Sequence, residues 1–273
     1  MTWTTLRVEP GGDREAALAA LFAAGAQGVH EDGAALVTHL PPDADVEGVS
    51  AAVRAADPLA RLTSAPLPDV DWAEAWKERL GAHEVGTLVI APPWLADRHD
   101  PARTIVIEPE MAFGTGDHPT TRGVARLMQR HVRPGDAVAD LGAGSAVLAI
   151  VAAKLGARRA TAIEMDPDAI PNAVQNVERN GVADRVAVIE GDAGPLLPLL
   201  APVDVILANI ISSVLVELLP AMAESLAPGG VAILSGILLE ERDMMRAALD
   251  REGWRELEED TEDVWWSVAL ARR

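Results

Sequence analysis

Between residues 137 and 234 the chain repeats one pattern: a short β-branched run, then a helix-length segment. The runs fall at 137–141, 160–165, 186–190, 203–208 and 231–234. Strands separated by a helix do not pair as hairpins, so this spacing predicts a parallel sheet wrapped by helices. The last two strand candidates, 255–259 and 264–271, have only a short turn between them and so predict an antiparallel hairpin. Upstream, a strand at 3–8, a helix at 14–24, a turn at Asp32-Gly33, a strand at 35–39 and a helix at 46–56 make a small βαββα layer. A further helix would carry Asp71, Trp72, Trp76 and Lys77; Trp72 and Trp76, four apart, share a face suited to packing. Pro92, Pro93 and Pro101 around an Asp-Arg-His-Asp run resist helix and mark a connector. The expected organisation is an α+β domain over 1–91, a linker over 92–104 and an α/β domain over 105–273.

Composition narrows the chemistry. The absence of cysteine removes disulfides, thiolate metal sites and cysteine nucleophiles, and the absence of tyrosine removes tyrosine chemistry. The balance of 23 Lys and Arg against 42 Asp and Glu, a formal charge of −19, repels phosphate backbones. It therefore argues against direct nucleic-acid binding and favours a basic partner. No charged-then-apolar signal opens the chain, and apolar runs such as 147–153 fall short of the roughly 20 residues of a membrane helix. A soluble cytoplasmic protein without a membrane partner is expected. The six histidines show no metal-binding spacing, and no Ser-His-acid set can be argued from their positions.

Candidate ligand-binding residues lie where the predicted strands end. Asp140-Leu141-Gly142-Ala143-Gly144-Ser145 joins the first of these strands to a helix at 146–155. Glycines there admit a ligand against backbone and free helix N–H groups, or simply make a tight turn. Val147 stands where a dinucleotide site wants a third glycine, which counts against a nicotinamide cofactor. Glu164 ends the next strand, at the distance where nucleotide folds place a ribose-binding carboxylate; otherwise it is a solvated strand end. Asp192, after Glu190-Gly191, would sit beside an adenine amino group or serve a turn. Asn209 ends the fourth strand, at the ligand-binding mouth of such sheets or as a helix cap. The small-residue segment around Phe113, from Glu108 to Thr121, reads as a loop able to close over a ligand, or as a plain turn before a helix started by Pro119.

Taken together, the chain resembles the class I S-adenosylmethionine-dependent methyltransferases, and more closely the PrmA family, over nearly its full length. The specific part is Met111-Ala112-Phe113-Gly114-Thr115-Gly116 with His118-Pro119-Thr120-Thr121. The wider set includes Glu108-Pro109, Asp140-Leu141-Gly142 with Gly144-Ser145, Asp166-Pro167, Asn176, Arg179-Asn180-Gly181, Ala208-Asn209-Ile210, Gly229-Gly230, Leu234-Ser235-Gly236 and Asp71-Trp72 with Trp76-Lys77. The resemblance implies a Rossmann-like, mostly parallel seven-stranded sheet with an antiparallel last strand. It also implies a small ferredoxin-like α+β amino-terminal domain that recognises the substrate. The implied activity is N-methylation of lysine side-chain or N-terminal amines of large-subunit ribosomal protein L-eleven, with S-adenosyl-L-methionine as cofactor.

Carried over residue by residue, the resemblance puts Gly142 and Gly144 beside the methionine half of the cofactor, Glu164 on its ribose, Phe113 and Thr121 in the pocket wall, and Asn209 by the transferable methyl as the catalytic residue. The sequence departs from the family pattern at Ala143, at Glu110, at Glu164, where the family has Asp, and at Ala146, where Gly is usual. Ala146 is expected to be harmless because its methyl group fits helical φ and ψ. The rival readings are a methyltransferase for another protein or a small amine, a NAD-dependent oxidoreductase, and a catalytically silent cofactor-binding module.

Overall fold

The computed structural model describes residues 3–26, 28–66, 80–110 and 112–273. The helix expected to carry Asp71, Trp72, Trp76 and Lys77 lies outside the described residues, as does Met111. Contacts divide the chain into two compact units, Met1–Arg79 and Leu80–Arg273.

The first unit contains β1 (Thr4–Glu9), α1 (Arg14–Ala23), β2 (His30–Asp32), β3 (Ala35–Leu40), α2 (Val46–Ala56) and β4 (Arg61–Pro66). Its sheet order, β2-β3-β1-β4, with β1 antiparallel to both neighbours, is the ferredoxin-like arrangement the resemblance implies. Both helices start on an aspartate: Asp13 accepts from the Ala16 N–H and Asp45 from the Gly48 N–H, each at 2.9 Å, satisfying donors the helix cannot. Leu6, Val8, Leu36 and Leu40 from the strands meet Ala17, Leu21, Val49 and Val53 from the helices in one core. Strand β4 goes beyond the βαββα pattern of the sequence. It is an exposed edge without apolar alternation, so no local period announces it.

The second unit begins earlier than the proline-rich connector suggests. β5 (His83–Val85) and β6 (Leu88–Ala91) form a hairpin over Gly86, which takes φ +60°, and β6 pairs in parallel with β7 (Thr104–Val106). Between β6 and β7, the connector includes α3 (Pro93–Ala96), with Pro93 tolerated in the first turn, where its missing N–H costs nothing. Gln129 ties the hairpin down, accepting from the Thr87 N–H at 2.7 Å and donating to the Val85 carbonyl at 2.9 Å. Residues 80–104 therefore pack as part of the second unit, and the division falls at 79/80 instead of along 92–104.

The remaining elements are α4 (Pro119–His131), β8 (Ala137–Leu141), α5 (Val147–Lys154), β9 (Arg159–Glu164), α6 (Ile170–Arg179), β10 (Val186–Glu190), α7 (Ala193–Leu200), β11 (Val203–Asn209), α8 (Ser212–Ser225), β12 (Leu226–Leu238), α9 (Arg242–Arg251), β13 (Trp254–Glu262) and β14 (Trp265–Arg272). The sheet order is β10-β9-β8-β11-β12-β14-β13, and β14 alone runs against the rest. Alternate residues of the fully buried β8 face opposite layers. Val138 packs with α4, α5 and α6, while Ala139 and Leu141 pack with α7, α8 and α9. Helix α5 is apolar nearly all round because it lies wholly inside the first layer.

Three arginines on α4 lock it to the terminal hairpin. Arg122, Arg126 and Arg130, four apart, meet Glu262, Asp260 and Glu258, which alternate along β13. Arg126 is bidentate to Asp260 at 2.9 and 2.6 Å and reaches Glu262 at 2.7 Å. Its hydrogen bond to Asp260 holds the guanidinium charge above even its ordinary pKa, against the opposing effect of burial. Part of the chain's acidity is thus internal structure.

Candidate active site

The sheet order reverses beside β8, whose neighbours are β9 on one side and β11 on the other. At such a switch point the loops diverge and leave a crevice beyond the carboxyl ends of the strands. A cleft of about 420 Å³ occupies it, lined by Gly142 from the β8 turn, Ile163 and Glu164 from β9 with Met165 after it, Gly191, Asp192 and Ala193 after β10, Asn209 at the end of β11 with Ile210 and Ile211 after it, Val214, Glu217 and Leu218 from α8, and Phe113 from the preceding loop. A second cavity of about 250 Å³ is lined by Phe113, His118, Thr120, Asn209, Ile210, Ile211, Gly236 and Trp265. The two share Phe113, Asn209, Ile210 and Ile211 as a partition.

Of the residues singled out in the sequence, Phe113, Gly142, Glu164, Asp192 and Asn209 come together in the cleft wall. Thr121 and Gly144 do not. Thr121 is fully buried behind Asn209, whose amide nitrogen lies 3.5 Å from the Thr121 hydroxyl; its helix neighbour Thr120 lines the second cavity instead. Successive helix residues point about 100° apart, so only one of the two threonines can face the opening. Gly144 turns inward at φ +51°, where a Cβ would stand 2.4 Å from the Phe113 carbonyl oxygen. It makes the contact between two loops and is not among the residues that line the cleft.

Glu164 does more than end a strand. Its Oε2 accepts the Gly144 N–H at 2.8 Å, and its Oε1 accepts the N–H groups of Met165 and Asp166 at 2.8 and 2.9 Å. A carboxylate has about four acceptor positions, so roughly one remains for a ligand hydroxyl. Asp192 caps α7 through a 2.9 Å bond from the Gly194 N–H. Gly142, at φ +66°, keeps backbone open to the cleft; a Cβ there would meet the Ile210 side chain at 2.5 Å.

Ala146 corrects an expectation. It caps α5 at φ +62°, ψ +18°, so its methyl group sits in the left-handed region and not in helical geometry. That conformation costs about 1–2 kcal/mol for a residue with a Cβ and is held by the surrounding packing. Because Ala146 makes no side-chain cap, Asp140 takes that duty, accepting the Ala149 N–H at 2.9 Å. Complete burial pushes the Asp140 carboxyl up to about 7 and the nearby Glu164 charge adds to this; the second Asp140 oxygen has no hydrogen-bond partner among the described residues.

His118 and Trp265 carried no predicted role. The His118 ring sits between Phe113, at 5.2 Å centroid to centroid, and Trp265, at 4.9 Å, in edge-on contacts. Burial, reinforced by the Arg122 charge, lowers its pKa, so an uncharged imidazole faces the second cavity at neutral pH. Trp265 is reached through topology: because β14 runs antiparallel, its first residue lies at the carboxyl edge of the other strands.

The family model described as ribosomal protein L11 methyltransferase (PrmA) matches residues 13–273. Proteins named ribosomal protein L11 methyltransferase are similar to this chain. The one from Thermus thermophilus is 42% identical over 204 residues, covering 75% of this chain and 78% of that protein. The one from Chloroflexus aurantiacus is 40% identical over 269 residues, covering 87% of this chain and 81% of that protein. A crystal structure of a ribosomal protein L11 methylase from Lactobacillus delbrueckii subsp. bulgaricus matches with a TM-score of 0.63 at 29% identity, over 70% of this chain and 98% of that one.

Proposed function

Because the chain belongs to the ribosomal protein L11 methyltransferase (PrmA) family, we propose that it transfers methyl groups from S-adenosyl-L-methionine to amines of ribosomal protein L11, with Asn209 as the catalytic residue. One observation carries this reading: a cofactor-sized cleft and a second cavity meet at the Asn209 side chain. The cleft suits an adenosyl group in its donor set. Ile163, Met165, Val214 and Leu218 offer apolar contact, Glu164 and Asp192 accept hydrogen bonds, and Gly142 opens a cradle that a Cβ would fill. The carboxylates of Glu164, Asp192 and Glu217 also place negative charge around a cationic ligand.

When bound, the cofactor supplies an electrophilic methyl group carried on a sulfonium. The chain's own task is to present a neutral amine to it. A lysine amine titrates near about 10.4 and an N-terminal one near about 7.7–8.0, so lysine especially enters protonated. The partly apolar second cavity, with Phe113, Ile210, Ile211 and Trp265, disfavours the charged form by desolvation. His118, held neutral, does not oppose an approaching cation. Asn209, steadied by Thr121, offers its carbonyl oxygen to an amine N–H and so aims the lone pair across the partition. The proton leaves to solvent, since an amide is no strong base.

The first unit would recognise the protein substrate. Strand alternation turns Thr5, Arg7, His30, Asp32 and His39 away from its helices, on a face they share with the buried Ala35 and Val37, where Thr5 meets His39 at 3.1 Å and Arg7 pairs with Asp32. A ribosomal substrate implies action in the cytoplasm. Incubating the protein with labelled S-adenosylmethionine and purified ribosomal protein L11 is expected to label that protein's amines. Absence of label there, or equal labelling of unrelated basic proteins, overturns the reading. Asn209→Ala is expected to hold the cofactor with nearly unchanged Kd while transferring methyl groups about 100-fold more slowly.

A further inference from the structure

Residues 107–110 and 112–118 form no strand or helix, yet the segment is tied down through its carbonyls: those of Glu108, Phe113, Gly114, Gly116, Asp117 and His118 each accept a hydrogen bond. Its start is held by α6: Asn176 Oδ1 accepts the Glu108 N–H at 2.8 Å, and Asn172 Nδ2 donates to the Glu108 carbonyl at 3.1 Å. Its end is held by Arg122, which donates to the Gly116 carbonyl at 3.2 Å and to that of Asp117. Among the described residues, the middle is held by Ser145. Ser145, fully buried in the glycine turn, donates its N–H to the Phe113 carbonyl at 2.9 Å and its hydroxyl to the Gly114 carbonyl at 2.8 Å. The Ser145 carbonyl in turn accepts from Asn176 Nδ2 at 3.3 Å, so one asparagine steadies both the start of the strap and its latch.

The two turns touch only because both carry glycine. A Cβ on Gly114, at φ +105°, would stand 2.8 Å from the Ser145 hydroxyl, and one on Gly144 would stand 2.4 Å from the Phe113 oxygen. The consequence falls on Phe113, whose ring helps partition the two cavities. The segment that reads in sequence as a loop closing over a ligand is anchored at three places.

We propose that Ser145 is a positioning residue for methyl transfer, setting the Phe113 partition between donor cleft and acceptor cavity. This rests on the reading of the two cavities given above. The Ser145 hydroxyl bonds Gly114 and no residue of the cleft wall, so its loss should misalign the acceptor while sparing donor affinity. A displacement of about 1 Å at a reacting centre costs up to 100-fold in rate.

The test is a double-mutant cycle on the full chain, with Ser145→Ala, Phe113→Ala and the double variant, comparing kcat, KM for ribosomal protein L11 and donor Kd. Ser145→Ala is expected to lower kcat about 10- to 100-fold at nearly unchanged donor Kd, and to have almost no further effect once Phe113 is alanine. Equal losses in both backgrounds, as a purely structural role would give, or no loss at all, overturn the proposal. Should the alanine variant fold poorly, Ser145→Cys keeps the volume and substitutes a weak donor. Amide hydrogen exchange at residue 145, whose N–H is donated to the Phe113 carbonyl, reads the latch without turnover: faster exchange in Ser145→Ala supports it and an unchanged rate overturns it. A wild-type protein that labels no acceptor defeats the proposed function, while the exchange experiment still decides the latch.

Discussion

Replacing Asp140 with asparagine should make the second unit more stable at alkaline pH and leave it little changed in acid. Asp140 is wholly buried, one oxygen accepts the Ala149 N–H and the other has no partner among the described residues, and its carboxyl is pushed up from 3.8 to about 7 by burial, with Glu164 adding to the effect. Below pH 3.8 both the folded and the unfolded chain hold this proton. Between there and about 7 the unfolded chain releases it and the folded chain keeps it, so stability falls as pH rises. Above 7 the loss levels off. At about 1.4 kcal/mol for each tenfold change in the proton equilibrium, the span from 3.8 to about 7 amounts to ~4 kcal/mol. Roughly 1.6 kcal/mol of this is already present at pH 5. Asparagine mimics the protonated carboxyl, retains an acceptor for Ala149 and never ionises. The stability difference between variant and wild type should therefore grow by ~3 kcal/mol between pH 5 and pH 8.5. With a urea slope of about 2–3 kcal/mol per molar, the midpoint should move by about 1 M. Fluorescence of Trp254 and Trp266, both buried in the second unit, reports it. Other titrating groups cancel in the comparison. A midpoint difference that stays flat across that pH range would show Asp140 already ionised at pH 5 and refute the reasoning.

Gly142→Val should push the Ile210 side chain, 2.5 Å from the new Cβ, into the cleft and weaken donor binding at least about 10-fold; calorimetry returning the wild-type Kd would remove Gly142 from the site. Arg126→Met should cost about 1–3 kcal/mol by stripping Asp260 and Glu262 of a shared partner. Burial alone would raise the Glu262 pKa, but bonds from Arg122 and Arg126 hold it down; that stabilisation is present above the ordinary carboxylate range and vanishes as pH falls through the lowered value. Urea midpoints for Arg126→Met and wild type should therefore converge in acid, and a gap that widens there would contradict the ladder. With a formal charge of −19, association with a basic protein acceptor should slow several-fold between low and high salt in stopped-flow mixing. A rate indifferent to salt would mean that the acidic surface takes no part in the encounter.

Local patterns carried much of the architecture. The runs at 137–141 and 186–190 are strands with those same bounds; the first is a central strand buried throughout, whereas the second is an edge strand in which only Val186 is buried. The parallel arrangement then makes Gly142, Glu164, Asp192 and Asn209 neighbours without further information, since strand ends in such a sheet point to one edge. Elements lacking a period of their own were illegible: β4 is an exposed edge, and β6 and β7 flank prolines that read as a break. Strand β12 runs well beyond its apolar centre at 231–234, because pairing resumes on either side of the irregularities that hold Gly229, Gly230 and Gly236, where the apolar pattern lapses.

What tertiary structure alone decided is how the two cavities are built around Asn209. Ser145 faces the Phe113 loop and Asn176 faces Ser145 through bonds spanning 31 positions in each case. Trp265 reaches the site only because β14 inserts antiparallel, and Thr120 instead of Thr121 faces the opening because of the angle at which α4 is locked to β13 by its arginines. A sequence records which side chains are available and the period with which they alternate. Which of them meet is settled by packing between segments distant along the chain, where the energy of contact depends on a geometry that no local pattern encodes.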